Sequence, residues 1–286
     1  MSMANRNEAL VSVVIPCMGR AEHVLANLEH LAGTRAEIIV VDYSCPEGVG
    51  ERARACNPDV VVSTVPDRQY FDPSEARNVG FEAATRPWVL FLDADILMNL
   101  PLFQDIALPS NKKSYFLLGK HRERGAFGSV LVSVSAVQKI GGYDVRFKGY
   151  GGEDIDFFER LSIAGYDRVF LVNEPVNILP HSVESRTVNF QEKDRRFSLL
   201  VNRAYGVIKA DLLRNRNGAA LGGDDLDRLR VVCERQMSQA FRDKKSTLEM
   251  RVDLRSGRGG YFAEGSSVGK AEENSVNRHL SYTFKL

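Results

Sequence analysis

The sequence predicts an α/β fold with a mainly parallel central sheet flanked by helices. Two observations lead there. Short runs such as Val11-Ser12-Val13-Val14-Ile15 and Ile38-Ile39-Val40-Val41 are almost continuously apolar and β-branched, the signature of strands buried on both faces. Segments of helical spacing alternate with those runs, and a helical crossover is what joins parallel strands. A third observation locates the chemistry: Asp42, Asp93 and Asp95 close such runs. In sheets of this kind ligands bind outside the carboxyl ends of the strands.

Taken in order, residues 1–9 read as a polar N-terminal tail. The first strand, 11–15, should stop at Pro16, with Gly19 and Arg20 in the turn. Residues 22–31 have helical spacing, with Val24, Leu25, Leu28 and Leu31 on one face. The second strand, 37–42, ends at Asp42 and a Ser-Cys-Pro loop, and a third covers 60–65. Ser74 is placed to cap a helix over 75–84, which Pro87 bars from continuing. A fourth strand then runs from Trp88 into Asp93-Ala94-Asp95.

Beyond residue 98 the glycines become informative. The stretch Gly149-Tyr150-Gly151-Gly152-Glu153-Asp154 places close-approaching backbone beside an aromatic ring and two acids, and Glu153-Asp154 should open a helix through Leu161. After residue 195, residues 224–241 form an amphipathic helix with Leu226, Leu229, Cys233, Met237 and Phe241 on one face. Residues 243–286 are polar and alternate weakly at 248–254 and 280–286, as an edge hairpin or a partly disordered tail would. The expected organisation is a tail (1–9), an α/β domain (10–195) whose character changes near residue 98, and a helical and hairpin extension (196–286).

Composition bounds the function. Of the residues, 44% are hydrophobic and 26% charged, as in ordinary globular proteins, and the net charge of +1 argues against nucleic acid as a partner. Cys17, Cys45, Cys56 and Cys233 lack C-x-x-C pairing and read as reduced thiols. The N-terminus lacks an apolar core, and no run approaches the about 18 apolar residues of a spanning helix. The expectation is a cytoplasmic protein, at most peripheral at the inner face of a membrane.

Alternation along an extended chain puts Asp93 and Asp95 on one side, where two like charges need a cation or a hydrogen-bond network. Mg²⁺ or Mn²⁺ suits them, because such hard ions bridge carboxylates to phosphates; a solvated loop with two Asp residues is the plainer alternative. Tyr-Gly-Gly before two acids reads as a sugar site, against acids favoured by a helix N-terminus. His181, after Ile178-Leu179-Pro180, gains meaning only from its company. The stretch 120–128, with His121, Arg122, Arg124, Gly125 and Gly128, reads equally as a lid or as a solvated basic loop.

These motifs carry a resemblance. Val13-Val14-Ile15-Pro16 with Arg20, Val40-Val41-Asp42, Ala76-Arg77-Asn78-Val79-Gly80-Phe81, Phe91-Leu92-Asp93-Ala94-Asp95, Tyr150-Gly151-Gly152-Glu153-Asp154 and His181 occur in the order seen in inverting glycosyltransferases of the GT-A fold, family 2. The second half is similar to β-1,4-galactosyltransferases and chondroitin-polymerase-type enzymes. The resemblance spans roughly residues 10–190. It implies that Pro16, Arg20 and Asp42 line the nucleotide pocket, that Arg77 lies near the donor diphosphate, and that Asp93 contacts ribose or supports the metal shell. Asp95 and His181 would hold Mn²⁺ or Mg²⁺; Tyr150, Gly151, Gly152 and Glu153 would hold the acceptor; Asp154 would be the general base, with Glu153 beside it.

Three departures stand out: Asp42-Tyr43 replaces an Asp-Asp pair, Tyr150 replaces a common Trp, and Ile155 interrupts the acidic run. The implied reaction moves a hexose from a UDP-sugar to a glycan or glycolipid acceptor, with inversion. A retaining transferase resembling the N-acetylgalactosaminyltransferases is the nearest alternative, although those usually carry D-x-H where this chain has Asp-Ala-Asp. A nucleotidyltransferase would need a Gly-rich phosphate loop that Cys17-Met18-Gly19-Arg20 matches poorly. A non-catalytic sugar-nucleotide binder has no reason to keep Asp95, Asp154 and His181 together.

Overall fold

The computed structural model describes residues 3–98, 100–103, 106–110, 112–118, 128–171, 176–180, 188–254 and 278–286. The chain divides into two compact units, Met1–Lys193 and Asp194–Leu286. The first is built on a seven-stranded sheet of order β3-β2-β1-β4-β7-β6-β8. Strands β1 (Val11–Cys17), β2 (Glu37–Tyr43), β3 (Val61–Val65) and β4 (Trp88–Phe91) run parallel, as the alternation of apolar runs and helices requires. Strand β7 (Val130–Ser133) is antiparallel to β4 and to β6 (Ser114–Leu118), and β6 pairs in parallel with β8 (Asp167–Leu171). A small two-stranded sheet joins β5 (Ile96–Met98) to β9 (Val176–Ile178).

Both faces of the parallel part are covered. Val11, Val13 and Ile15 point into a core with Val24 and Leu28 of α2 (Ala21–His30) and Val49 of α3 (Val49–Cys56). Val14, Ile39 and Val41 point the other way, among Ala76 of α4 (Pro73–Ala83), residues of α5 (Val134–Ile140), and Phe157 and Phe158 of α6 (Glu153–Ile163). Burying each such side chain contributes about 1.5–3 kcal/mol. Helix α4 comes very close to the sheet, since a Cβ on Gly80 would lie 2.2 Å from Val14 Cγ1.

The structure corrects several expectations. Pro16 does not stop β1 but lies within it, opposite Val41. The carbonyls of Leu10 and Val14 accept from Trp88 and Leu92, so alternate residues, Pro16 included, face the β4 side, where pairing has already ended. A missing N–H costs no ladder bond there. Helix α4 is capped by Asp72, which accepts from the Glu75 N–H with Pro73 at the first turn, and not by Ser74. Helix α3 follows the Ser-Cys-Pro loop, in a stretch for which no element was expected. The polar tail is instead α1 (Met3–Glu8), with Asn7 and Glu8 buried. Asn7 Nδ2 donates to the carbonyls of Phe103 and Ile106, and Glu8 accepts from the N–H groups of Leu102 and Arg35.

The second unit holds α7 (Arg195–Asn215), α8 (Gly223–Arg242) and an antiparallel hairpin of β10 (Thr247–Leu254) and β11 (Arg278–Lys285). Leu229, Cys233 and Met237 of the expected amphipathic face are buried. Helix α7 went unnoticed in the sequence. Its buried positions include Ser198, Asn202 and Lys209 among the apolar ones, which blurs the hydrophobic period. The hairpin strands form a two-stranded sheet. No helix among the described residues is long and apolar enough to cross a membrane.

Candidate active site

The site is organised around a buried guanidinium. Helix α4 presents Arg77 from its buried face at the carboxyl end of β4, and Arg77 Nη2 lies 2.8 Å from Asp93 Oδ1. Its Nη1 lies 3.2 Å from Glu153 Oε1 and 3.3 Å from Asp154 Oδ1. The acids arrive there because Gly151 (φ 79°) and Gly152 (φ 101°) take left-handed backbone that L side chains resist. This turn delivers Glu153 and Asp154 as the first residues of α6. Arg77 also stacks over the Tyr143 ring, 5.1 Å from its centroid.

Three carboxylates thus share one cation. Glu153 is nearly sealed, and the Asp154 side chain is 19% exposed. Burial raises the Asp154 carboxyl well above its ordinary range; Arg77 opposes that shift, and the neighbouring charges of Glu153 and Asp93 reinforce it. Asp154 Oδ1 is buried without a hydrogen bond, its contact with Arg77 being an ion pair. A Cβ on Gly128 would stand 2.6 Å from Asp93 Oδ2 and 2.9 Å from Asp154 Oδ2. The second oxygens of these two acids therefore converge on a point that only a glycine leaves open.

Asp93 and Asp95 do not behave as an extended pair. Strand β4 ends at Phe91, and a turn follows in which Ile96 N–H donates to the Asp93 carbonyl. Alternation no longer governs the side chains, and the two acids meet different cations. Asp95 is buried, with Oδ2 4.0 Å from Arg20 Nη1.

Other expected residues have other duties. Asp42 accepts from the Cys45 N–H (2.9 Å) through Oδ1 and from the Gly50 N–H (3.1 Å) through Oδ2, so it organises the loop and the start of α3. Arg77 directs its guanidinium to three acids, which compensate its buried charge. Pro16 is buried in β1. Tyr150 meets the edge of Phe190, 6.3 Å between centroids. His181 and residues 120–127 lie outside the described residues. Among the described residues, no three His, Cys, Asp or Glu side chains are arranged to hold a metal ion.

Several contributors were not anticipated. Asn78 forms a two-way bridge with the Tyr143 backbone, donating to its carbonyl (2.9 Å) and accepting from its N–H (2.8 Å). Asn189 donates to the Met18 carbonyl (2.7 Å), while its own carbonyl accepts from the Phe71 N–H (2.7 Å). Such bridges leave no periodic trace. Arg77-Asn78 adjacency, however, was a usable signal for two polar residues on a helix that packs on the sheet.

Residues 12–125 match the model described as glycosyl transferase family 2, and residues 112–187 match the model described as the N-terminal domain of galactosyltransferase. The chain has the GT-A glycosyltransferase fold. The two matches run continuously through the candidate site: Asp42, Arg77, Asp93 and Asp95 fall in the first, and Tyr150, Gly151, Gly152, Glu153 and Asp154 in the second. Staphylococcus aureus TarS residues 1–349 in complex with UDP-GlcNAc superposes with a TM-score of 0.54 at 15% identity, over 81% of this chain and 73% of that one. The structure of TarS 1–349 without that ligand gives 0.51 at 13% identity, over 82% and 92%. In sequence, β-1,4-galactosyltransferase 5 of Sus scrofa is 29% identical over 173 residues, covering 54% of this chain. The chain spans 38% of that relative's length.

Proposed function

We propose that this GT-A chain is a metal-dependent, inverting glycosyltransferase that moves a hexose from a UDP-sugar to a glycan or glycolipid acceptor. The observation that carries the reading is Asp154: a carboxyl raised by burial, held by a helix start and ion-paired with Arg77. A hydroxyl attacking an anomeric carbon must lose its proton during attack, and a base with an elevated pKa is suited to receive it. Arg77 keeps the three acids together and orients Asp154 through the Nη1 ion pair. Asp93 holds the other end of the guanidinium, so it is assigned a supporting role. Tyr150 with Gly151 and Gly152 would offer the acceptor an aromatic edge and close backbone. Attack from the side of Asp154, opposite the leaving nucleotide, inverts the anomeric centre.

A donor of the UDP-sugar class is read from the galactosyltransferase relative and from the ligand in the TarS complex. The cation fits the residues in one respect. Asp95 is a hard oxygen donor, and Mg²⁺ or Mn²⁺ commonly takes one or two carboxylates together with substrate phosphates. Asp95, with His181, would hold it. A bound dication would supply charge stabilisation to the departing diphosphate. Arg20, beside Asp95, would contribute positive charge at the same place.

The test pairs binding with turnover. Asp154→Asn should keep the thermal stabilisation given by UDP with MnCl₂ and lose transfer from UDP-galactose, UDP-N-acetylgalactosamine or UDP-glucuronic acid to a glycan panel. EDTA should abolish transfer and Mn²⁺ restore it. Undiminished turnover in the variant would remove Asp154 from the role, and an anomer retained in the NMR spectrum of the product would rule out inversion.

A further inference from the structure

The site leaves two cysteines unexplained. Cys17 ends β1, and Cys45 follows β2 in the loop before α3. The register sets Cys17 opposite Asp42, whose carboxylate holds the Cys45 N–H at 2.9 Å. The two cysteines lie in the same buried cluster, and each thiol shifts the other's titration. Cys45 Sγ accepts from the Gly19 N–H at 3.2 Å, and the amides of Glu47 and Val49, the latter at the first turn of α3, favour its thiolate. The Cys17 thiol, opposed by burial and joined by the three amides, brings the Cys45 thiol down to about 6. Its partner is pushed up by the Cys45 thiol and by burial. The thiolate is the reactive form of cysteine, so the pair divides into a nucleophile and a protonated neighbour.

The other cysteines lack this arrangement. Cys233 is buried in α8 and pushed up to about 12 by burial. Cys56 is exposed at the end of α3.

We propose that Cys17 and Cys45 form a peroxide-oxidisable dithiol centre that closes to an intramolecular disulfide between the β1–α2 and β2–α3 loops. In the first step the Cys45 thiolate attacks one oxygen of a hydroperoxide. The O–O bond breaks, leaving a sulfenic acid on Cys45 and, after protonation, water or an alcohol. Cys17 sulfur then attacks Cys45 sulfur; the S–S bond forms, the S–O bond breaks, and the hydroxyl leaves as water with the Cys17 proton. Two thiols lose two electrons, and one peroxide is reduced by two. The bond joins the end of β1, three residues before Arg20, to the loop that follows Asp42 and β2, and the inference requires no assignment of donor or acceptor.

Trypsin isolates the relevant cysteines: Cys17 in residues 7–20, Cys45 in 36–52 and Cys56 in 55–68. The full chain is treated with hydrogen peroxide at neutral pH, blocked with N-ethylmaleimide, digested without reductant and mapped by mass spectrometry. The expected product is peptide 7–20 linked to 36–52, at least about tenfold over any link to 55–68 and removed by dithiothreitol. Cys17→Ser should leave Cys45 as a sulfenic acid that dimedone captures, and Cys45→Ser should leave Cys17 free. Alkylation of both cysteines after peroxide, with no linked peptide, overturns the proposal, as does a Cys17→Ser chain whose Cys45 resists dimedone.

Discussion

Asp93 and Asp95 are separated by one alanine, yet they live in different electrostatic regions. Asp93 belongs to a cluster of three acids around one buried guanidinium, whereas Asp95 faces a cation of its own, Arg20, at 4.0 Å. The first region carries excess negative charge in a water-poor setting, which raises a carboxyl and suits it to proton chemistry. In the second, the buried Asp95 lies beside the Arg20 guanidinium and apart from the other two acids. The lesson is that acids close in sequence are specialised by the cations the fold brings to them.

Breaking the clustered region at its base has the largest expected effect. Asp154→Asn should lower transfer by about 10²–10⁴-fold, read from initial rates with UDP-galactose, while UDP-dependent thermal stabilisation persists. Removing the cation that holds the cluster comes next. Arg77→Met leaves the buried Glu153 and the part-buried Asp93 and Asp154 without their shared cation and should cost about 3–5 kcal/mol of stability in urea titration; an unchanged midpoint would mean that the acids are hydrated. A smaller effect concerns pH. Because burial raises the Asp154 carboxyl in the folded chain, that chain binds the proton more tightly than the unfolded one. The resulting stability is present in acid and is lost as pH rises through the raised value. Asp154→Asn should therefore be more stable than the parent at pH 8, with the gain shrinking as pH falls toward the unfolded value of about 3.9. Urea midpoints at pH 4.5, 6 and 8 measure it; a gain independent of pH would contradict the assignment. Least of all, Arg20→Ala should change stability by about 0–1 kcal/mol, since its pair with Asp95 is loose and partly exposed. It should nevertheless weaken UDP binding, which would separate the two regions by function.

The parallel strands, helices α2 and α6 and the amphipathic face of α8 were legible because burial writes a period into the sequence: continuous for β1 and β2, helical for residues 21–30 and 223–242. Helix α7 was hidden by polar residues on its buried side, and α1 by a composition that looks like tail until Asn7 and Glu8 find carbonyls and amides to satisfy them. In the candidate site, the acids and glycines were visible as types. Their partners were not, because ion pairs such as Arg77–Glu153, 76 residues apart, depend on which helix crosses which strand end.

The sequence by itself determined which residues could carry charge into an apolar interior, where the backbone needed glycine, and that acids would gather at strand ends. Those are local properties of composition and period. Only the tertiary structure decided that Arg77 serves three acids, that Asp42 caps a helix, that Asp93 and Asp95 part company, and that Cys45 meets Cys17. Electrostatics acts through space and depends on burial, and both distances and burial exist only once helices have been laid across the sheet.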